Sequence, residues 1–461
     1  MVDRVGGLRR PQYDPGGVHR FLSGCDDLQE AGIQTRGRLP VIRVRAIVAL
    51  SLAACLVAPQ VAAALSLPEA IVLAQRGNPG LAQVRALADA AEARLVQARS
   101  GRLPSVTLSA DAGQGTTDLG GFFGFGRVDV SPRGAALELR QPIFTGGAVS
   151  AAVVRAREAR DAAMAQAGGV RSLLTAQAAE VYAAVLGADE ILRLHEAQVR
   201  QTSEIERQAG LRFKGGEVAR TDVAQAQARL AQAQADLARA RGDAARARAR
   251  FQSVVGAAAE GLEPLPLPPP TPTSLNEALA SAERASPTLL AAQAAARAAE
   301  AGVRYARAER LPNLALAATA STTRDKFFPG YRADDVTVGV KGRWTLFAGG
   351  AIEARVGEAR AGAREAQAAL AAARAQVRET VIGAWEDVQT SRALVAAADD
   401  QATAAASALD SVRNEVRVGQ KPTLDLLDAE REALAAQSAV VSTRGGAVAA
   451  AYRLNALLHV E

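Results

Sequence analysis

The feature that most constrains this chain is that it is written twice. Asn78-Pro79 returns as Ser286-Pro287, Ala91-Glu92-Ala93 as Ala299-Glu300-Ala301, and Arg102-Leu103-Pro104 as Arg310-Leu311-Pro312, each displaced by 208 residues. Further on, Phe144-Thr145-Gly146-Gly147 returns as Phe347-Ala348-Gly349-Gly350 and the run Gly216 to Asp222 as Gly419 to Asp425, displaced by 203, with Tyr182 opposite Trp385. Such self-similarity marks the two halves as duplicated. The fall from 208 to 203 puts a five-residue length difference between Pro104 and Phe144, a segment that therefore tolerates loop variation. Between the copies, the Pro-rich run from Gly261 to Pro272 can be neither helix nor central strand and reads as an extended linker. The expected organisation is an N-terminal extension and signal over 1–64, a first repeat over 65–260, a linker over 261–275 and a second repeat over 276–461.

Each repeat carries two periodicities. After Pro104, Val106, Leu108 and Ala110 alternate with Ser105, Thr107 and Ser109, and the second copy offers Leu314, Leu316 and Ala318. A return strand places Val336, Val338 and Val340 on one side and Thr337, Lys341 and Arg343 on the other, an apolar-out, polar-in pattern that suits a membrane barrel around water. Aromatic residues gather near the strand ends, in Gly120-Gly121-Phe122-Phe123-Gly124-Phe125 and Phe327-Phe328-Pro329-Gly330-Tyr331, where an interfacial girdle would use them. Two hairpins supply four strands, whereas a closed barrel takes about eight or more, so the strands must be shared among two, three or four copies.

The rest reads as helix. From Gly147 to about Gly210, and from Gly350 to about Val418, no proline interrupts an Ala-, Arg- and Glu-rich pattern, enough for helices of about 95 to 105 Å. Shorter helices over about 68–101, 217–256, 276–309 and 422–458 would stack end to end beside the long ones. Heptad seams run through Val223, Ala226, Leu230, Ala233, Leu237, Ala240, Ala244, Ala247, Phe251 and Val254. The matching seam in the second copy is Leu426, Ala429, Ala433, Ala436, Val440, Thr443, Ala447, Ala450, Leu454 and Leu457.

Several function classes fall away. The formal charge of +6 looks basic, but 54 Lys and Arg are nearly balanced by 48 Asp and Glu that alternate along helices, a solvated face and not a nucleic-acid footprint. Beyond the leader the chain has only His195 and His459, no cysteine, no Gly-rich phosphate loop and no nucleophile elbow, so neither an enzyme, a metal site nor a cofactor is expected.

The amino end reads as an export signal: Arg43 and Arg45, an apolar run from Ala46 to Ala58, then small residues to Ala64. At 13 residues this run is too short to span a bilayer, which needs about 20. The polar stretch before Arg43 is unlike a signal and points to a start codon assigned too early. Leu52-Ala53-Ala54-Cys55 resembles a lipobox that would make Cys55 a lipidated first residue, although the apolar residues after it favour ordinary cleavage near Ala64.

In order and spacing, Asn78-Pro79-Gly80-Leu81, Arg102-Leu103-Pro104, Gln141 to Gly147, Gly216 to Asp222 and Arg417 to Asp428 resemble the TolC family of outer-membrane efflux proteins across nearly the whole mature chain. The resemblance implies a mainly α chain with membrane β: a homotrimer whose four strands per protomer complete a 12-stranded β-barrel in outer-membrane lipid, above a long α-helical coiled-coil barrel crossing the periplasm. It also implies a passive exit duct for an efflux or type I secretion system, partnered by a periplasmic adaptor and an inner-membrane pump or ABC exporter. Asp425 and Asp428 match aspartates that ring the family's tunnel entrance, and Lys421, Thr221 and Asp222 match its gating positions, Lys421 reaching the other two on the neighbouring subunit. Val416 stands where the best-known member has a tyrosine in that network. The competing reading is a periplasmic coiled-coil adaptor or scaffold with a soluble β-domain.

Overall fold

A computed structural model describes residues 64–121, 124 and 126–459. The signal, Cys55 and the aromatics Phe122, Phe123 and Phe125 lie outside the described residues. Each repeat runs through two short helices, a β-hairpin and a long helical hairpin. The first comprises α1 (Leu67–Gly77), α2 (Pro79–Ser100), β1 (Ser105–Ala112), β2 (Gly115–Asp118), β3 (Arg127–Val130), β4 (Arg133–Phe144), α3 (Ala148–Lys214) and α4 (Arg220–Val255). The second comprises α5 (Leu275–Ala285), α6 (Pro287–Ala308), β5 (Asn313–Arg324), β6 (Arg332–Arg343), α7 (Ala351–Arg417) and α8 (Thr423–Leu458).

The single helix expected over 68–101 is two, α1 and α2, and its copy divides likewise into α5 and α6. Proline disfavours the helical conformation in the residue before it and brings no N–H of its own. Asn78 accordingly sits at φ −76°, ψ 119°, and its Oδ1 accepts from Leu81 N at 3.1 Å, capping the new helix. Both long helices are 67 residues, about 100 Å at 1.5 Å per residue. No helix among the described residues is long and apolar enough to cross a membrane.

The helices form a layer. α3 packs against α2 and α6 over one part of its length and against α4 and α8 over the other, while α7 packs against α5, α6 and α8. The layer therefore ends at α2 and α4 on one side and at α7 on the other. Near the junctions of the short helices, Leu67, Ala70, Tyr182, Phe251 and Val448 form one core, and Ala278, Val381, Val388 and Leu454 a second. The Tyr182 hydroxyl shares its hydrogen between the carbonyls of Leu65 and Glu263, 2.8 Å from each, fastening the start of the first repeat to the Pro-rich segment.

The main sheet is antiparallel in the order β1-β4-β5-β6, with β2 and β3 extending the first hairpin separately. The extra length of the first copy is used there. Register sorts the faces: Val106 lies opposite Leu139, Leu139 opposite Ala318 and Ala318 opposite Val338, while Thr107, Glu138, Thr319 and Thr337 form the next row. Opposed residues in an antiparallel sheet share a face. One face is thus Leu, Val and Ala through its middle rows, with Leu108 and Val336 strongly exposed, giving way to Thr322, Asp334 and Arg324 toward the hairpin loop, and the other carries Thr, Ser and charged groups such as the Lys341–Glu138 ion pair at 3.4 Å.

Candidate functional site

Both long hairpins turn at the end away from the sheet, and the turns are built alike. Each long helix closes on a glycine in the left-handed region, Gly216 at φ 76° and Gly419 at φ 78°. Glu217 N then donates to Arg212 O at 2.9 Å, and Gln420 N to Glu415 O at 2.8 Å. These bonds satisfy last-turn carbonyls that a helix otherwise leaves open. An ion pair straps each turn, with opposite polarity: Arg212 to Glu217 at 3.2 Å in the first, Lys421 to Glu415 at 2.8 Å in the second. The Glu415 carboxylate, with a smaller contribution from Asp425, holds the Lys421 ammonium above its ordinary pKa despite partial desolvation.

The residues expected at the entrance all lie in this tip. Asp425 is in the first turn of α8 and Asp428 one turn further on; Thr221 and Asp222 open α4. Asp222 Oδ2 accepts from Ala219 N at 3.3 Å, a capping role that also suits a negative charge at a helix N-terminus. Within one protomer Lys421 pairs with Glu415 and not with Thr221 or Asp222. Asp428 is also engaged: Arg229 of α4 reaches its Oδ1 at 3.0 Å and so joins the two repeats across the tip.

Three participants went unread in the sequence. Glu415 lies six residues before Lys421, which becomes contact only once Gly419 reverses the chain. Arg229 stands one heptad after Asp222 on α4, but its contact with Asp428 appears only once α8 of the other repeat lies beside it. Glu430, only 5% exposed, sits between the α8 seam positions and takes Arg413 of α7 at 3.2 Å. A buried carboxylate needs such a partner.

The geometry is that of an elongated protomer with an apolar-faced sheet at one end and a charged helical tip at the other. A profile of the outer membrane efflux protein family matches residues 70–257 and 278–459. Outer membrane efflux protein BepC of Brucella suis is 30% identical over 398 residues, 86% of this chain and 85% of that protein. Outer membrane protein TolC of Escherichia coli is 26% identical over 77% of this chain and 74% of its own length. Among solved structures, the outer membrane protein VceC of Vibrio cholerae superposes with a TM-score of 0.74 at 22% identity, over 86% of this chain and 97% of that one.

Proposed function

Since this chain belongs to the outer membrane efflux protein family, we propose that three copies close their hairpins into one 12-stranded barrel in the outer membrane and their helices into a tunnel through the periplasm. The chain is an outer-membrane efflux channel, and its fold is mainly helical with a small membrane sheet. It would act as the passive duct for substrates delivered by an inner-membrane pump or ABC exporter through a periplasmic adaptor. One observation carries the shared barrel, the number three following from the family resemblance: among the described residues a four-stranded sheet, apolar along the middle of one face, ends in unpaired edges at β1 and β6. Lipid offers no hydrogen bonds to such edges, and four strands are too few to close on themselves. An adaptor or scaffold with a soluble β-domain would not leave Val336, Val338 and Val340 exposed in a row. Native mass spectrometry of the detergent-extracted protein should give a trimer, and planar bilayers should show discrete conductance; a sole monomeric species would reject the reading.

The gate is proposed at the tip. Asp425 and Asp428 would face the entrance, and Lys421 would reach Asp222 or Thr221 of the adjacent subunit. Its position in an exposed turn, bridged to Glu415, leaves further donor capacity on the ammonium. Lys421→Ala and Asp222→Ala should each raise single-channel conductance, and the double variant should add little, because either change breaks the shared contact. Wild-type conductance in both single variants would dismiss the latch.

A further inference from the structure

The apolar face of the sheet extends only part of the way along the strands, and its last row is mostly arginine. Ala112 lies opposite Arg133, Arg133 opposite Arg324 and Arg324 opposite Arg332. All four share the face of Leu108, Val336 and Val338, because side chains two residues apart on a strand point the same way. The row lies at the end away from the helices, where β1 stops at Ala112 and β5 turns into β6. Arginine facing lipid is strongly disfavoured at the bilayer midplane and nearly free at its surface. Leu314 sits beside Phe144 and Gly342 at the helical end, and from there to Arg324 β5 advances about 33 Å, or about 25 Å of height at the usual strand tilt. That is the full height of an outward apolar band, so the arginines stand level with the headgroups of the outer leaflet.

The row is not neutralised from within. Arg133 pairs with Asp325 at 2.8 Å and Arg324 with Asp334 at 2.9 Å. Arg332 is exposed and makes no ion pair of its own among the described residues, although Asp325 and Asp334 both feel its charge. Three guanidinium groups thus share two carboxylates, and the Arg133 side chain keeps most of its surface open beside its partner. The helical edge of the same face carries exposed aromatics instead, Phe144 and Trp344. The two rims are built for different surroundings.

We infer that this arginine row holds the phosphate groups of a lipid in the outer leaflet, whose acyl chains lie along the exposed Leu108, Leu137 and Val336 further down the same face. The inference rests on the barrel reading and adds a lipid partner at its outer rim. A guanidinium presents paired N–H donors that match phosphate oxygens, keeps its charge at any relevant pH and is more weakly hydrated than an ammonium. Neighbouring strands stand about 4.8 Å apart, so each arginine can share a phosphate with the next, and the row extends for about 10 Å. Asp325 and Asp334 compete with phosphate for Arg133 and Arg324, whereas Arg332 is uncommitted. A free phosphate would satisfy the guanidinium groups but not the apolar row below them. A phosphorylated lipid satisfies both.

Native mass spectrometry of the detergent-extracted protein, titrated with lipid A carrying two phosphates, measures the site, and the same lipid stripped of its phosphates is the comparison. Wild type should bind the phosphorylated lipid and hold the stripped one far more weakly. Arg332→Gln, which breaks no ion pair, should lower the affinity about fivefold, the effect of one surface cation on an anionic lipid. Arg133→Gln, Arg324→Gln and Arg332→Gln combined should lower it about a hundredfold. Asp334→Asn should tighten binding, because Arg324 loses its competitor, and weaker or unchanged binding would count against the row. Arg343→Gln, on the polar face of β6, should leave the affinity as it is. Equal binding of the two lipids by wild type, or of the phosphorylated lipid by wild type and Arg332→Gln, overturns the site and leaves the barrel standing. Displacement by inorganic phosphate at the lipid's own concentration does so too, since it would make the row an anion site indifferent to acyl chains. A protein that is monomeric throughout overturns the barrel and the site together.

Discussion

If the tip is the entrance proposed above, single charges there decide what an entering ion meets. Among the described residues, Asp425 has no cationic partner as close as the Arg229 that holds Asp428 at 3.0 Å. Were both carboxylates at the mouth, the Arg229–Asp428 pair would contribute almost no net charge, and the threefold ring of Asp425 would set the potential. Arg229→Ala should then increase cation preference and Asp428→Asn decrease it, with the double variant returning close to wild type because the pair is removed whole. Asp425→Asn should lower cation preference with nothing to offset it. Reversal potentials at low salt read all four, and an unshifted value for Arg229→Ala would place the pair off the conduction path. The place of the two aspartates in the tip was legible from their motif, but Arg229, Glu415 and the Arg413–Glu430 pair were not. Each meets its partner only through a chain reversal or from the other repeat, and no local spacing encodes that.

At the scale of elements, legibility followed the number of packed sides. On α4, which lies at the margin of the helical layer, the heptad seam read from sequence is the buried face: Ala226, Ala233, Leu237, Ala240, Ala244 and Phe251 are all buried. On α8 the same reasoning finds Ala433, Ala436, Ala447 and Leu454 but not Leu427, Val448, Ala451, Asn455 or Leu458. That helix lies between α3 and α7, so a second face is covered that a one-seam pattern leaves out. The junction held by Tyr182 is also an element-scale device. Its fully buried phenol is pushed up to about 12 by burial, with Glu263 adding to the effect. The neutral phenol is favoured in the folded chain, so its stabilisation is complete below pH 10.0, the ordinary value, and drains away as pH rises through about 12. Tyr182→Phe should remove that alkaline step and cost about 1 kcal/mol, more if the carbonyls of Leu65 and Glu263 find no water. Denaturant titration followed by helical circular dichroism at neutral and alkaline pH gives both numbers, and an unaltered alkaline limb in the variant would assign the step to another group.

For the whole molecule, the two kinds of secondary structure answer to two solvents. Helices of about 100 Å with charged outer faces suit the aqueous periplasm, whereas the sheet shows Leu and Val outward because its outer solvent is hydrocarbon. The strand face was readable from period-two alternation alone; which edges meet was not, because closing a sheet across subunits leaves no pattern within a single strand. This division makes adjacent residues respond oppositely to the same change. Val338 and Thr337 are neighbours on β6, one in the row of Ala318 and Leu139 and the other in the row of Thr319 and Glu138. Arginine on the lipid face costs about 2 to 4 kcal/mol near the bilayer midplane and falls toward zero at the interfaces. Val338→Arg places that cost in every subunit, so a trimer carries it three times over. Thr337→Arg puts an equal charge into the watered interior, where it should leave assembly nearly unchanged and reduce cation conductance. Trimer recovery from outer-membrane fractions, scored by heat-dependent gel migration, should therefore collapse for Val338→Arg and persist for Thr337→Arg. Equal recovery of the two variants would mean that the Val336, Val338 and Val340 face does not meet lipid, and the assignment of inside and outside would have to be reversed.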